Sequence, residues 1–593
     1  MLGKIIRFQI SFWALGLCIC SSFAQADSKV TPSPIQPSSA SESVSPHPHS
    51  DWSFFTLGLT PIQNGGRMKP LDSFAQEVVL FETGSRTFQN WKALDLILSW
   101  ITYPEFWQTQ PFIRVAREDL KRQLGLDESR TRFSPQELTE NSLLAQYASG
   151  LDPRLQSEGP PGAPSRSNPR EQELKSVLDR ISLFQGMISG QAWLLLPQPA
   201  PQAWLNITDL NPEFEPIRDQ FVRVLGAYQA ESPTQFERFS HLLKVAVEGD
   251  VPNFEQNFKN RIWAEVLYNR GRPFLWAWIL YLSSALLWGV SYFSRFQKMG
   301  RWAQKLAWGS LSGATLLHLY GFALRCFVAG RPPVTNMYES VVWVALGVVA
   351  FAAVIYFLQR QTVVLAVGGA LASLALIAAD SAPAILDPSL HPLVPVLRSN
   401  YWLTVHVLTI TLGYAAFALS LGISNITLFQ FLKKAKASQV NSLNQLNYRS
   451  IQFGVVFIAA GTILGGIWAD ESWGRFWGWD PKEVWALITL LCYLVILHGR
   501  YASWVGQFGF AVWSVVSFLS VIMAWYGVNF ILGVGLHSYG FSTGGSPWVL
   551  GFVGLQMLFV LGVAAFHWIQ NRGGAKSEPT APALTEASLS SSS

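Results

Sequence analysis

Apolar residues follow two regimes along the chain. Up to about residue 273 they recur among polar ones; beyond it they run almost without interruption. The runs lie near 274–293, 303–324, 338–358, 362–379, 402–432, 451–468, 484–501, 510–532 and 547–569. Each is close to the roughly 20 residues a helix needs to cross a hydrocarbon core, so about nine transmembrane helices are predicted. Ahead of them, 91–101, 172–196, 217–229 and 234–248 space their apolar residues as helices with one buried face do. A Pro/Ser/Gly stretch at 159–169 reads as a loop. The expected fold class is all-α: a polytopic helical membrane domain over 274–572, preceded by a mostly helical soluble domain over 51–273.

The two ends of the chain differ from both regimes. Lys4 and Arg7, an apolar core over 8–20 and Ala24-Gln25-Ala26 make residues 1–26 a secretory signal, with an uncleaved anchor helix as the alternative. Residues 27–50 are rich in Ser and Pro and read as a disordered linker. His47 and His49 lie in it; they could bind a metal, but two linker histidines read first as solvated. Residues 573–593 read as a disordered cytoplasmic tail. If the leader carries 51–273 out of the cytoplasm, the first span runs inward. The inner connections then hold Arg295, Lys298, Arg301 and Lys305, then Arg360, then Lys433, Lys434, Lys436 and Arg449, then Arg500, then Arg572 and Lys576. That distribution meets the positive-inside rule and predicts a bacterial-type cytoplasmic (inner) membrane protein with its N-terminal domain extracytoplasmic.

Composition narrows the class. Of 593 residues 50% are hydrophobic and 14% charged, against about 25% charged in soluble domains, which excludes an ordinary cytosolic globule. The net charge of +5 is scattered and leaves no nucleic-acid footprint. Of four cysteines, Cys18 and Cys20 fall in the leader, and no CxxC occurs, which argues against dithiol, cysteine-zinc and iron–sulfur chemistry.

One outer connection is unlike the rest. Residues 467–485 hold five Trp and one Phe in nineteen positions, interleaved with glycines and both signs of charge. An interfacial aromatic belt accounts for scattered Trp. It does not account for a dense loop with Gly spacers that let flat faces approach a guest. Trp473, Trp477, Trp479 and Trp485 with Arg475 and Lys482 suit a planar, anionic, partly apolar molecule, and haem fits, with Arg475 and Lys482 for its propionates. Asp480 and Glu483 read either as general acids or as acids in the first turn of a helix.

The histidines sharpen this. His406 lies about 6 Å inside the outer end of its span, and His537 lies in an outer loop. Two imidazoles flanking an aromatic slot make a bis-His haem site plausible. His498 lies roughly 21 Å down its own span, near the cytoplasmic face; an ionisable residue there is a functional candidate, with an interfacial residue beside Arg500 as the alternative. His318 and His391 read as structural, His241 as surface or packing, His567 as interfacial. The segment Gly65-Gly66-Arg67-Met68-Lys69-Pro70-Leu71-Asp72 reads as a Gly turn before a helix, or as a basic turn for an anion.

The run from Trp473 to Trp485, which includes Trp477-Gly478-Trp479-Asp480-Pro481, resembles the "WWD" signature of haem-handling proteins. With Gly330-Arg331-Pro332-Pro333-Val334-Thr335-Asn336-Met337-Tyr338-Glu339-Ser340, Tyr401-Trp402-Leu403-Thr404-Val405-His406 and the 533–540 loop, it resembles the CcsA (ResC) proteins of system II cytochrome c-type biogenesis over roughly 260–570. The resemblance implies a polytopic helical fold with an external haem slot. It implies that His406 and His537 are the outer axial ligands and that His498 matches an in-membrane haem ligand. It implies haem b as substrate, apocytochrome c as acceptor, and a CcsB (ResB) membrane partner. The N-terminal region shows no set of spans beyond the leader, so that partner is expected as a separate chain. The implied activity is haem transport across the membrane and thioether attachment to CxxCH, a haem lyase or synthase activity of the complex, with no residue standing out as a catalytic nucleophile or base. A haem exporter without ligase activity is the alternative. A haem-bearing quinone oxidoreductase subunit fits less well, because only one deep histidine is clear.

Overall fold

The computed structural model describes residues 45–149, 169–199, 201–251, 256–293, 297–332, 334–383, 385–391, 400–533, 535–537 and 545–574. The expected leader, most of the expected linker, and nearly all of the 159–169 loop and of the expected tail lie outside the described residues.

After a one-turn helix at Phe55–Gly58, the N-terminal region forms a hairpin of β1 (Pro61–Asn64) and β2 (Arg67–Pro70). Gly65 and Gly66 join the strands at φ +59° and +78°, the left-handed pair a two-residue hairpin turn of this hand needs. The expected turn and helix start are both present, with the helix α1 at Leu71–Thr83; the strands around the turn are too short for alternation to reveal. Then come α2 (Ala93–Thr102), α3 (Pro169–Ser189), α4 (Glu215–Gln229), α5 (Pro233–Asp250) and α6 (Gln256–Gly271). The helix expected over 172–196 stops at Ser189 because Gly190 takes φ +84° and the chain turns back, bridging Leu196 to Leu205. Trp100, Trp107, Phe112, Phe184 and Trp193 centre the core of this region.

His49 departs from expectation. It is 9% exposed, and its backbone N–H and ring Nδ1 reach Asp95 at 2.7 and 3.0 Å. A charged acceptor buried beneath it makes this histidine part of the packed region, which therefore begins before residue 51. The reading of His49 as a solvated linker residue is corrected.

Nine helices among the described residues are long and apolar enough to cross a membrane, which makes the chain a helical polytopic membrane protein. They are α7 (Pro273–Tyr292), α8 (Gln297–Ala329), α9 (Met337–Gln359), α10 (Val363–Ser381), α11 (Tyr401–Leu432), α12 (Ala437–Trp473), α13 (Pro481–Tyr501), α14 (Gln507–Leu532) and α15 (Ser546–Gln570). Each covers one predicted run. α8 and α12 extend well past theirs, because polar flanking turns continue the helix. α11 and α12 approach unusually closely: a Cβ on Gly461 would sit 2.7 Å from Ile410 Cα. Small residues at such crossings let helix backbones meet where lipid offers no hydrophobic drive. α14 becomes π-helical over Met523–Leu532.

The N-terminal region packs against one end of this bundle through the loop after α10. Arg67 forks onto Glu265 at 2.9 and 2.7 Å and donates from Nε to the Leu390 carbonyl at 2.7 Å. Arg86 and Arg272 both reach Asp380. From the bundle side, Arg331 donates to the His391 carbonyl at 2.6 Å and Asn336 to the Asp387 carbonyl at 3.2 Å. His391 itself bonds Asp387 at 3.0 Å. Buried Arg325 spans Glu339 and the Pro388 carbonyl, both at 2.8 Å. His318, fully buried, meets the Val342 carbonyl through Nε2 at 3.0 Å and the Tyr281 hydroxyl through Nδ1 at 3.4 Å, which leaves it a packing residue.

Candidate functional site

A cleft opens at this same end of the bundle, where α9, α11, α12, α13 and α14 converge. It encloses about 1060 Å³ counted out to its open mouth. His406, His537, Trp468, Trp477 and Lys482 line it together with Thr335 and Asn336 from the 330–340 motif.

His406 projects from the second turn of α11. Its Nδ1 lies 2.8 Å from the Gly461 carbonyl on α12. A carbonyl only accepts, so Nδ1 carries the hydrogen and Nε2 keeps its lone pair. The approach depends on glycine: a Cβ on Gly465 would fall 2.6 Å from His406 Cε1.

His537 arrives from the turn after α14. Its Nδ1 lies 2.8 Å from Asp480 Oδ1, which again fixes Nε2 as the open nitrogen. Asp480 is the cap of α13. Its side chain accepts the Lys482 amide at 3.1 Å, while Glu483 turns back onto the Asp480 amide, a capping box. Its other oxygen accepts the Leu536 amide at 2.6 Å. Burial disfavours the Asp480 anion, but the His537 imidazole and these two amides outweigh it and hold the carboxyl below its usual range. Of the two readings of Asp480 and Glu483, the geometry is that of the helix start.

Trp468 was not among the expected site residues, yet it joins the two histidines. It is 1% exposed, with its centroid 6.1 Å from His406, nearly parallel, and 5.5 Å from His537. Its Nε1 has no hydrogen-bond partner among the described residues. Trp473 closes over the pair, 4.6 Å from Trp468 and 5.1 Å from His537. The signal was present in the sequence, since Trp468 is the first Trp of the dense segment, but its position inside an apolar run made it read as part of the span.

The other predicted residues divide. Trp477 lines the cleft. Trp479 stands edge-on to Trp477 at 5.9 Å and is 71% exposed, at φ +56°. Trp485 is half-buried and packs against the bundle core instead. Lys482 lines the cleft and donates to Asn529 on the π-helical turn at 3.1 Å. Arg475 does not line it; its guanidinium lies 5.9 Å from the Trp473 ring centroid and 3.7 Å from Glu483. His498 is away from the cleft, exposed on an apolar stripe of α13 with Leu491 and Val495, its Nδ1 2.8 Å from the Leu494 carbonyl. Glu339 ties down both motif residues: its carboxylate accepts the Thr335 amide and hydroxyl at 2.9 and 3.0 Å, and its backbone amide donates to the Asn336 side-chain oxygen, the cap of α9, at 2.8 Å.

Comparison with known proteins points one way. A family model described as Cytochrome C assembly protein matches residues 334–537. CcsA of Trieres chinensis, a cytochrome c biogenesis protein, is 31% identical over 313 residues, 45% of this chain and 98% of the relative. CcsA of Guillardia theta is 34% identical over 244 residues, 36% of this chain and 79% of the relative. Protein NrfI of Wolinella succinogenes is 29% identical over 506 residues, 80% of this chain but 53% of the relative, so the chain spans about half of that protein's length.

Proposed function

We infer the function from one premise: the chain belongs to the CcsA family of cytochrome c biogenesis proteins. Its role is therefore in cytochrome c assembly. On that basis we propose that the cleft receives haem b as substrate and presents it for attachment to an apocytochrome c. One observation carries the reading. His406 and His537 each hold their Nδ1 hydrogen on a fixed acceptor, so each has Nε2 available at a single aromatic cleft. Metal-ligating histidines are held in this way, with the second nitrogen engaged.

In this reading the two imidazoles would hold the haem iron from both sides, leaving no axial position open to oxygen. Trp477 meets the ring, and Lys482 pairs with a propionate. Trp468 and Trp473 hold the imidazoles apart and oriented. Each thiol of a CxxCH segment adds across one vinyl group: a C–S bond forms, the thiol hydrogen ends on the neighbouring carbon, and no net oxidation occurs. The protein contributes orientation rather than a general base. The substrate histidine replaces one protein imidazole and the product leaves.

The remaining parts of the reading rest on the family. The cleft and the N-terminal region face the extracytoplasmic side of an inner membrane. His498 is a ligand of an earlier haem site, shared with a CcsB-type membrane partner. A carrier that loads haem and passes it to another protein is the second reading.

The test co-expresses the chain with a CcsB-type partner and a CxxCH reporter in cells lacking their own assembly system. Covalent haem on the reporter, lost in His537→Ala and restored by added imidazole, is the expected result. A complex that purifies with haem but never attaches it, with reporter thiols kept reduced, overturns the ligase and leaves the carrier.

A further inference from the structure

A second cluster of metal-ligating side chains lies far from the cleft, where the chain enters the N-terminal region. His47, His49 and Glu231 each bring one potential ligand atom within 4.8 Å of the others. The two imidazole centroids are 5.2 Å apart, and His47 Nδ1 lies 3.8 Å from Glu231 Oε1. Proximity alone is weak, because exposed acidic groups cluster without ions. Two further observations give this cluster the character of a site.

The first is the state of His49. Its Nδ1 lies 3.0 Å from Asp95 Oδ1, and Asp95 is itself held by the Tyr228 hydroxyl at 2.7 Å. A carboxylate accepts, so Nδ1 carries the hydrogen and Nε2 has its lone pair free. That Nε2 is buried and has no hydrogen-bond partner among the described residues, in a residue only 9% exposed. A buried acceptor left unmade costs free energy unless something binds it. A carboxylate behind the ring, with the far nitrogen open, is the arrangement that orients histidines on metals.

The second is the backbone of Glu231. It holds φ +49° one residue beyond Ala230, the cap of α4. A non-glycine residue in the left-handed region carries strain and persists only where its surroundings demand it. Here the turn is set by the Glu231 amide on the Tyr228 carbonyl and the Ser232 amide on the Ala227 carbonyl. It delivers a carboxylate to two histidines more than 180 residues earlier in the chain.

We propose that His47, His49 and Glu231 bind one borderline divalent transition-metal ion, with Zn²⁺ the reference case. Two imidazoles and one carboxylate are the ligand set such ions take, and Ca²⁺ and Mg²⁺ prefer all-oxygen sites. Three protein ligands leave at least one coordination position open. Occupancy clips the entering chain to the end of α4. The site requires neither haem nor the cleft.

The test uses the full-length protein in detergent, stripped with chelator and dialysed against Zn²⁺ alone. His47→Ala and Glu231→Gln are the working variants, because both side chains are more than half exposed and their loss leaves the core intact. His241→Ala, an exposed histidine of the same region, is the control. Wild type and control are expected to hold one more equivalent of Zn²⁺ than either variant, or to bind it at least 10-fold more tightly. Saturating Zn²⁺ is expected to raise the Tm of wild type and not of the variants. Equal stoichiometry, affinity and thermal shift in all four proteins overturn the site, as does a Zn²⁺ equivalent displaced by equimolar Mg²⁺. Because the cleft histidines are untouched in every protein compared, failure of the haem reading leaves this result unaffected.

Discussion

Asp480 and His537 stand 57 residues apart in sequence and share a hydrogen bond of 2.8 Å. One carboxylate thus starts a helix and orients the imidazole of another segment. The coupling makes two properties separable by substitution. Asn keeps a helix cap and a hydrogen-bond acceptor but removes the charge; Ala removes all three. We expect haem occupancy, read as Soret absorbance per protein, to fall in the order wild type, Asp480→Asn, Asp480→Ala. The Ala variant should lose about 10–100-fold in haem affinity, the usual cost of removing a histidine's supporting carboxylate. Equal occupancy in all three would mean that His537 is oriented by something else.

The same carboxylate sets a pH dependence. Its folded pKa is depressed, from an unfolded value near 3.9. A depressed acid contributes stability that is complete above the unfolded value and lost as pH falls through the folded one. The protection factor of the Leu536 amide, whose partner is Asp480, should therefore stay level from pH 5 to 8 and drop below about pH 4.

Glu82 predicts the opposite sign. It is fully buried, both carboxylate oxygens lack hydrogen-bond partners among the described residues, and burial pushes its pKa well up despite the attraction of Arg180. Folding then favours the protonated form, so wild-type stability gains as pH falls through the raised value. Glu82→Gln should stabilise the protein at pH 7 by roughly 1–3 kcal/mol. The difference in Tm should shrink toward pH 4. A variant less stable than wild type at pH 7 would show that the anion is held by a partner.

Gly465→Ala tests the close approach behind His406. The added Cβ would lie 2.6 Å from the imidazole, a ring held by its bond to Gly461. The ring must shift, at a cost of roughly 1–3 kcal/mol. Haem occupancy should fall more than tenfold while the protein still folds into its membrane form. Gly551, where a Cβ meets nothing within 4 Å, is the control position.

Arg325 and Glu339 form a buried pair at 2.8 Å, each 1% exposed. Glu339→Ala leaves the guanidinium without its main partner and should destabilise by about 3–5 kcal/mol. It also frees Thr335 at the cleft. Glu339→Gln should lose less, because the amide oxygen still accepts. Thermal melts in detergent check the order.

The sequence by itself determined the elements and much of the site's membership. Nine apolar runs became nine span-length helices among the described residues, since the length of an apolar run is a local property that the bilayer thickness reads directly. His406 and His537 could be picked out because spacing along a helix converts to depth, and the Trp-rich segment because its density exceeds what an interface explains. Tertiary structure decided the pairings. That Asp480 holds His537, that Trp468 lies against both imidazoles, and that Trp485 and Arg475 turn away from the cleft all depend on where α11 to α14 cross. That crossing is set by glycine contacts such as Gly461 on Ile410. The same holds for His49, which composition placed in a solvated tract and Asp95 draws into the packed region. Hydrophobic period is written along the chain, whereas the partner of a buried polar group is supplied from a distant segment and becomes known only when the helices have packed.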